Sequence, residues 1–173
     1  MKNPLKLSLD EIETWEEFQD LVQSFFEALV AKEDNQVKNV RSKKTGRGGD
    51  GGRDILVELD MHDGIQAFKR TWVVQCKAER TTKPLNGTEL SGIRDLLDQN
   101  EADGYLLICK GRASSKMTKL LEDLEKTDRL RRCYTYWDGP QFCNTLYPFD
   151  ELIKTYFPIA YAQISAIRTQ IGI

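Results

Sequence analysis

Asp54, Gln75 and Lys77 are the residues whose types and spacing suit chemistry. Gln75 and Lys77 stand two apart in a run, Thr71 to Ala78, that reads as a strand, so both side chains leave the same face. Asp54 opens the preceding apolar stretch. On one edge of a hairpin the three would bring together a carboxylate, an amide oxygen and an ammonium. The two oxygen donors suit a hard divalent cation and the ammonium suits the neighbourhood of an attacking water, which is the equipment for hydrolysing a phosphodiester. Asp54 alone would read as a solvated strand end or a cap. Gln75 and Lys77 change that, because an apolar strand has little structural use for both. Burying either unpartnered costs about one to several kcal/mol.

The elements that must position these residues follow from periodicity. From Thr14 to Val30, Trp15, Phe18, Leu21, Val22, Phe25, Phe26 and Leu29 recur at spacings of three and four, an amphipathic helix, with Thr14 and Glu17 spaced as a capping box. A short strand, Gln36 to Ser42, precedes a turn from Gly46 to Asp54 that is rich in glycine. Ile55, Val57 and Leu59 then alternate with Asp54, Leu56 and Glu58 across a strand. The polar residues Asp60 to Arg70 read as the connection to the strand that carries Gln75. Beyond Lys77 helices and strands alternate: helix Thr88 to Gln99, strand Tyr105 to Lys110, helix Ser115 to Lys126, strand Arg132 to Tyr136, a turn from Trp137 to Pro140, then short helical pieces from Gln141 to Phe157 broken at Pro148. That order predicts an α/β fold with a sheet covered on both faces. Ala160, Ile164, Ile167 and Ile171 form an apolar stripe in a last helix, which either docks on this domain or leads to another domain or subunit.

Two phosphate-binding readings of the glycines fail. Gly46, Gly48 and Gly51 satisfy the dinucleotide-binding spacing, but a strand follows them where that chemistry needs a helix N-terminus. No Gly-Lys-Ser or Gly-Lys-Thr completes a Walker loop. What remains is a tight turn, and residues without side chains there would let a nucleic-acid backbone come close to Asp54.

The 173 residues suit one domain, and no apolar run approaches the length of a membrane span. The start lacks the apolar core of a signal peptide, so a cytoplasmic protein without a membrane role is expected. Four scattered cysteines and a single histidine argue against zinc. The net charge of −2 hides an uneven distribution. Residues 10–34 hold nine acidic side chains against Lys32, whereas 41–53 hold Arg41, Lys43, Lys44, Arg47 and Arg53 against Asp50. A second basic segment runs from Lys110 to Arg132. Two such segments could face a phosphate backbone, although solvated loops and helix faces would look the same by charge alone.

Gly49-Asp50-Gly51-Gly52-Arg53-Asp54 followed by Gln75-Cys76-Lys77 resembles the Mrr-type branch of the PD-(D/E)XK restriction-endonuclease superfamily, which carries glutamine in place of the usual glutamate. The resemblance extends to Phe18-Gln19-Asp20-Leu21-Val22, to Asp103-Gly104-Tyr105-Leu106 and to Ser114-Ser115. Trp137-Asp138-Gly139, with Pro148 and Tyr156-Phe157, is similar to nuclease domains fused ahead of nucleotide-hydrolysing modules in prokaryotic defence proteins. It implies a restriction-endonuclease-like core, a central mixed sheet flanked by helices, over residues 1–157, with 158–173 as the C-terminal helix. It implies Mg2+ or Mn2+ held by Asp54, the side-chain oxygen of Gln75 and the carbonyl of Cys76, with Lys77 beside the attacking water and 5′-phosphate products. Where the family often has a glutamate in the first helix this chain has Gln19, and Glu16, one turn earlier, either takes its place or is an exposed helix residue.

The expectation is therefore a metal-dependent endonuclease acting on double-stranded DNA, the effector of a prokaryotic defence or restriction system, working as a homo-oligomer or fused to a regulatory domain. Arg47, Gly51 and Arg53 would approach the backbone, and Asp50 would aid the site or form the turn. Arg112, Ser114, Ser115 and Lys116 would hold a phosphate at a helix start, where Ser114 and Ser115 also serve simply as caps. The alternatives are a nucleic-acid-binding module of the same fold that has lost activity, and a resolvase of branched DNA.

Overall fold

The computed structural model describes residues 6–32, 36–44, 54–77, 92–112 and 114–171. Helix α1 (Trp15–Ala28) is followed by strands β1 (Val37–Lys44), β2 (Ile55–His62) and β3 (Ala67–Lys77). Then come α2 (Ile93–Gln99), β4 (Gly104–Cys109), α3 (Ser115–Thr127), β5 (Cys133–Trp137), α4 (Gly139–Leu146), α5 (Asp150–Tyr156) and α6 (Pro158–Ile171). The five strands form one mixed sheet in sequence order. β1, β2 and β3 pair antiparallel, and β3, β4 and β5 pair parallel. This is an α/β fold, a mixed sheet flanked by helices on both faces.

The pleat divides the core in two. Ile55, Val57, Leu59, Val74, Cys76, Leu106 and Ile108 face one layer with Phe18, Leu21, Val22, Phe25 and Phe26 of α1 and Phe142 and Leu146 of α4. Val73, Tyr105, Leu107 and Cys109 face the other with residues of α2 and α3, including Leu97, Met117 and Leu121. α1 starts as its sequence requires: Thr14 Oγ1 accepts from the N–H of Glu17 at 3.1 Å. The returning bond of the expected capping box goes elsewhere, since Glu17 Oε2 accepts from the N–H of Glu13. Ala160 and Ile164 of α6 enter the first layer. Glu11 accepts from the N–H groups of Ile159 and Ala160, and Arg168 forms a two-bond ion pair with Asp150.

Three expectations change. Asp60 to Arg70 is not a long polar connection: β2 runs on to His62 and β3 begins at Ala67, with Asp60↔Lys69, Met61↔Phe68 and His62↔Ala67 paired. This arm extends beyond the end of β4, whose pairing with β3 begins at Trp72, so water meets both its faces and polar residues suit it. Trp137 to Pro140 is not a free turn, because Trp137 ends β5 and Asp138 caps α4, accepting from Gln141 N at 2.9 Å. The helix expected from Thr88 is described from Ile93, residues 88–91 lying outside the described residues.

Gly104 marks the tightest packing along β4. A Cβ there would come within 2.6 Å of the Trp72 ring, which lies across it. Gly104→Ala should therefore push the indole aside and cost about 1–3 kcal/mol, read from the midpoint of chemical unfolding.

Candidate active site

Asp54 lies at the start of β2, and its N–H donates to the Val74 carbonyl at 3.1 Å. Since Ile55 pairs with Val74, Asp54, one residue earlier, lies beside the end of β3. The carboxylate does not hang into solvent: Oδ2 accepts from the backbone N–H of Cys76 at 2.6 Å. Alternation puts Gln75 and Lys77 on the same face of the sheet, the face of α2 and α3, and the bond to the Cys76 N–H, between them in the chain, brings the Asp54 carboxylate next to both. The trio that the spacing suggested is assembled at the C-terminal end of β3.

Each member has its own environment. Gln75 is 7% exposed, and its Oε1 accepts a hydrogen bond from the hydroxyl of Tyr105, which has no exposure at all. Lys77 is half-buried and stands beside Cys109 of β4. Desolvation pushes the Asp54 carboxyl above its usual range, and the Cys76 N–H and the charge of Lys77 offset only part of this. Burial raises the Cys109 thiol to about 11, so it is a neutral neighbour. Burial likewise pushes the Tyr105 phenol far up, and it is a proton donor at every ordinary pH.

These residues suit a hard divalent cation. A partly buried carboxylate whose charge its surroundings leave under-compensated gains from a neighbouring cation. The other donor atoms on this face are oxygens and the Cys109 thiol, which burial keeps protonated and so a poor ligand. The Cys76 thiol packs in the opposite layer with Val74 and Ile108, so no thiolate competes and the set suits magnesium or manganese better than zinc. Among the described residues no group of three or more histidine, cysteine, aspartate or glutamate side chains could hold a metal. A cation here would rely on Asp54 together with neutral oxygens.

The other expected residues are placed differently. Glu16 is exposed on α1, and Gln19 is buried there at 5% exposure, on a helix packed against the face opposite Gln75 and Lys77. Gln19 nonetheless stands out, because its buried Nε2 has no partner among the described residues. Ser114 caps α3, accepting from Met117 N at 3.3 Å, and Arg112, Ser115 and Lys116 are exposed around that helix start. β4 delivers this cluster to the same end of the sheet, since Cys109 pairs with Lys77 and α3 begins shortly after. Arg47, Asp50, Gly51 and Arg53 lie outside the described residues.

Tyr105 is the site residue that residue types alone did not single out. Its signal was weak but present: a tyrosine in an otherwise apolar strand, Tyr105 to Cys109, needs a partner for its hydroxyl. Lys110 is a second such case, donating to the Ile12 carbonyl with its ammonium 5.8 Å from the Phe18 ring centroid. It ties the N-terminal segment to the same end of the sheet.

The sequence matches the family Mrr_cat, described as restriction endonuclease, over residues 9–146. No curated protein matches it. Among solved structures it is similar to the DNA modification-dependent restriction endonuclease AspBHI, with a TM-score of 0.52 and 13% identity, over 94% of this chain and 45% of that one. It is also similar to the MspJI restriction endonuclease in complex with a 27-mer oligonucleotide, with a TM-score of 0.49 and 14% identity, over 75% of this chain and 27% of that one. The chain thus spans less than half the length of either, and the likeness to AspBHI is one of fold.

Proposed function

Because the chain belongs to the restriction endonuclease family Mrr_cat, we propose that it is a metal-dependent DNA endonuclease whose centre is the face carrying Asp54, Gln75 and Lys77. The observation that carries this is the Asp54 carboxylate held on the N–H of Cys76, the residue between Gln75 and Lys77, within reach of the Lys77 charge.

Asp54, the Gln75 oxygen and the Cys76 carbonyl would hold Mg2+ or Mn2+. A bound cation of this kind polarises a phosphate oxygen and makes a nucleophile of water at neutral pH. The protein's own residues do the rest. The Cys76 N–H fixes the Asp54 carboxylate, so that it need not reorganise during the reaction. Lys77, half-buried, orients the attacking water or meets the charge that develops on the phosphate, and the product ends carry 5′-phosphates. Arg112 and Lys116, with the N-terminus of α3, would take a neighbouring backbone phosphate.

Double-stranded DNA is the proposed substrate. Sequence choice would come from outside this site, from a regulatory domain or from a second copy, and a role in defence or restriction would follow. A single centre nicks one strand, so a clean double-strand break requires two. Among the described residues no helix is long and apolar enough to cross a membrane, and a cytoplasmic setting fits a DNA substrate.

The test is relaxation of supercoiled plasmid in Mg2+ or Mn2+. Lys77→Ala should slow nicking at least about 100-fold, the usual loss when one group meeting transition-state charge is removed, and leave the melting temperature nearly unchanged. Equal cleavage by wild type and Lys77→Ala would take this face out of the reaction. DNA binding without cleavage by the wild type would favour the binding-module reading.

A further inference from the structure

Tyr105 poses a question that packing does not answer. It sits in β4 without exposure, in the layer with Ile93, Leu97, Met117 and Leu121. Phenylalanine would fill the same apolar space. What tyrosine adds is one polar atom, and among the described residues that atom bonds to Oε1 of Gln75. The register explains the reach. Val73 stands beside Tyr105 and Gln75 beside Leu107, so Gln75 is the next residue along the same face.

Gln75 is the site residue that most needs such a partner. Its side chain is long, it has several rotamers, and its two terminal atoms have opposite chemistry: one oxygen with two lone pairs and one nitrogen with two protons. A cation requires the oxygen. A hydroxyl that donates also meets only the oxygen, and it occupies one of the two lone pairs while the second stays available. The bond therefore sets both the rotamer and the sense of the amide. It does so without charge, next to the partly buried Asp54 carboxylate on the Cys76 N–H.

We propose that Tyr105 is the positioning residue of this site, holding the Gln75 amide from the core side so that its oxygen is the atom presented to the metal. The inference rests on the metal-dependent reading of the Asp54 face. Tyr105 touches neither the substrate nor the metal and acts through Gln75 alone. A glutamate at position 75 would not need it in the same way, because the two oxygens of a carboxylate are equivalent and charge attraction orients them.

The experiment uses the full chain as wild type, Tyr105→Phe, Gln75→Glu, the Tyr105→Phe/Gln75→Glu double variant and Asp54→Ala. Each is titrated with Mn2+ alone, the free ion being followed by electron paramagnetic resonance. Thermal unfolding and the metal-free side-chain amide spectrum of Gln75 are recorded alongside. Tyr105→Phe should weaken Mn2+ binding about 10-fold, the lower end of the range for losing a residue that orients a metal ligand. It should also shift the Gln75 amide signal in the metal-free protein, and raise the metal concentration for half-maximal cleavage by the same factor while the rate at saturating metal stays within about twofold. In the Gln75→Glu background the same substitution should leave Mn2+ binding unchanged.

Unaltered Mn2+ binding and an unmoved Gln75 signal in Tyr105→Phe, with only a lower melting temperature, would make Tyr105 a core residue and nothing more. An equal loss in the glutamine and glutamate backgrounds would show that it acts through packing. Mn2+ binding by Asp54→Ala as tight as by wild type would remove the metal site itself, and this inference with it. The two failures are thus told apart.

Discussion

Asp54→Asn should lower plasmid cleavage by about 10^3-fold and at the same time leave the fold at pH 7 as stable as before or more so. Asparagine keeps the shape of the side chain and an oxygen that can still accept from the Cys76 N–H. What disappears is the charge. If the cation that this carboxylate would hold supplies several kcal/mol of transition-state stabilisation, its loss at 1.36 kcal/mol per tenfold corresponds to a rate drop of that order. The stability half has a definite sign. Burial pushes the Asp54 carboxyl up, so the native state holds its proton more tightly than the unfolded chain does. Stability from this group is then greatest below the ordinary carboxylate range, declines as pH rises toward the raised native value, and stays flat above it. At pH 7 the wild type carries an ionised, partly desolvated Asp54 at a cost that the asparagine variant avoids, a gain of up to about 1 kcal/mol. Melting curves at pH 7 and near pH 3.5 check it, the advantage of the variant shrinking at the lower pH. A variant clearly less stable at pH 7 would mean that the carboxylate serves as a backbone cap whose charge matters to the fold.

That much of the fold of this chain was open to reading has a physical basis. β2 and the second half of β3 show the period of two, because one face meets a dry layer at every other residue. This set Ile55, Val57 and Leu59 apart from Asp54, and Val74 and Cys76 apart from Gln75 and Lys77. α1 announced itself by its apolar stripe and by Thr14. What stayed hidden is what depends on distant partners. The arm from Asp60 to Arg70 is exposed from His62 to Ala67 and carries mostly polar residues, so its strands look like loop. Tyr105 reads as one more apolar residue until β4 is laid beside β3. Gln19 stands, by the resemblance, where the family often has a glutamate, and its burial shows only once α1 is seated on the sheet. Asp128 and Arg132 read as part of a basic segment and Tyr134 as a residue of the strand after it, whereas folding joins all three in one buried cluster.

That last group carries the second large effect. Asp128, 8% exposed, accepts from Arg132 Nε at 2.8 Å, from the Tyr134 hydroxyl and from the Leu130 N–H at 2.8 Å. Arg132 reaches on to Asp98 of α2 at 2.5 Å, and Arg94 of α2 donates to Thr127 and to the Leu124 carbonyl of α3. The cluster joins the two helices that cover the Tyr105 and Gln75 layer to the start of β5. Asp128→Ala would leave a buried guanidinium and a buried phenol short of an acceptor. It should cost about 3–5 kcal/mol, the range for removing one partner of a buried ion pair, as measured by chemical unfolding at pH 7. The pH dependence runs opposite to that of Asp54. Burial, the largest single influence on Asp128, would raise its carboxyl, but Tyr134, the Leu130 N–H and Arg132 together outweigh it and hold the carboxyl below its usual range. Its contribution is therefore complete above the ordinary carboxylate range and is lost as pH falls through the lowered native value. The gap between wild type and Asp128→Ala should close on acidification from the wild type's side, by loss of stability. For Asp54→Asn it should close because the wild type sheds a cost. Two carboxylates in one small domain thus separate by the sign of their linkage, one held charged by partners that the fold provides and one whose charge the fold desolvates more than it compensates.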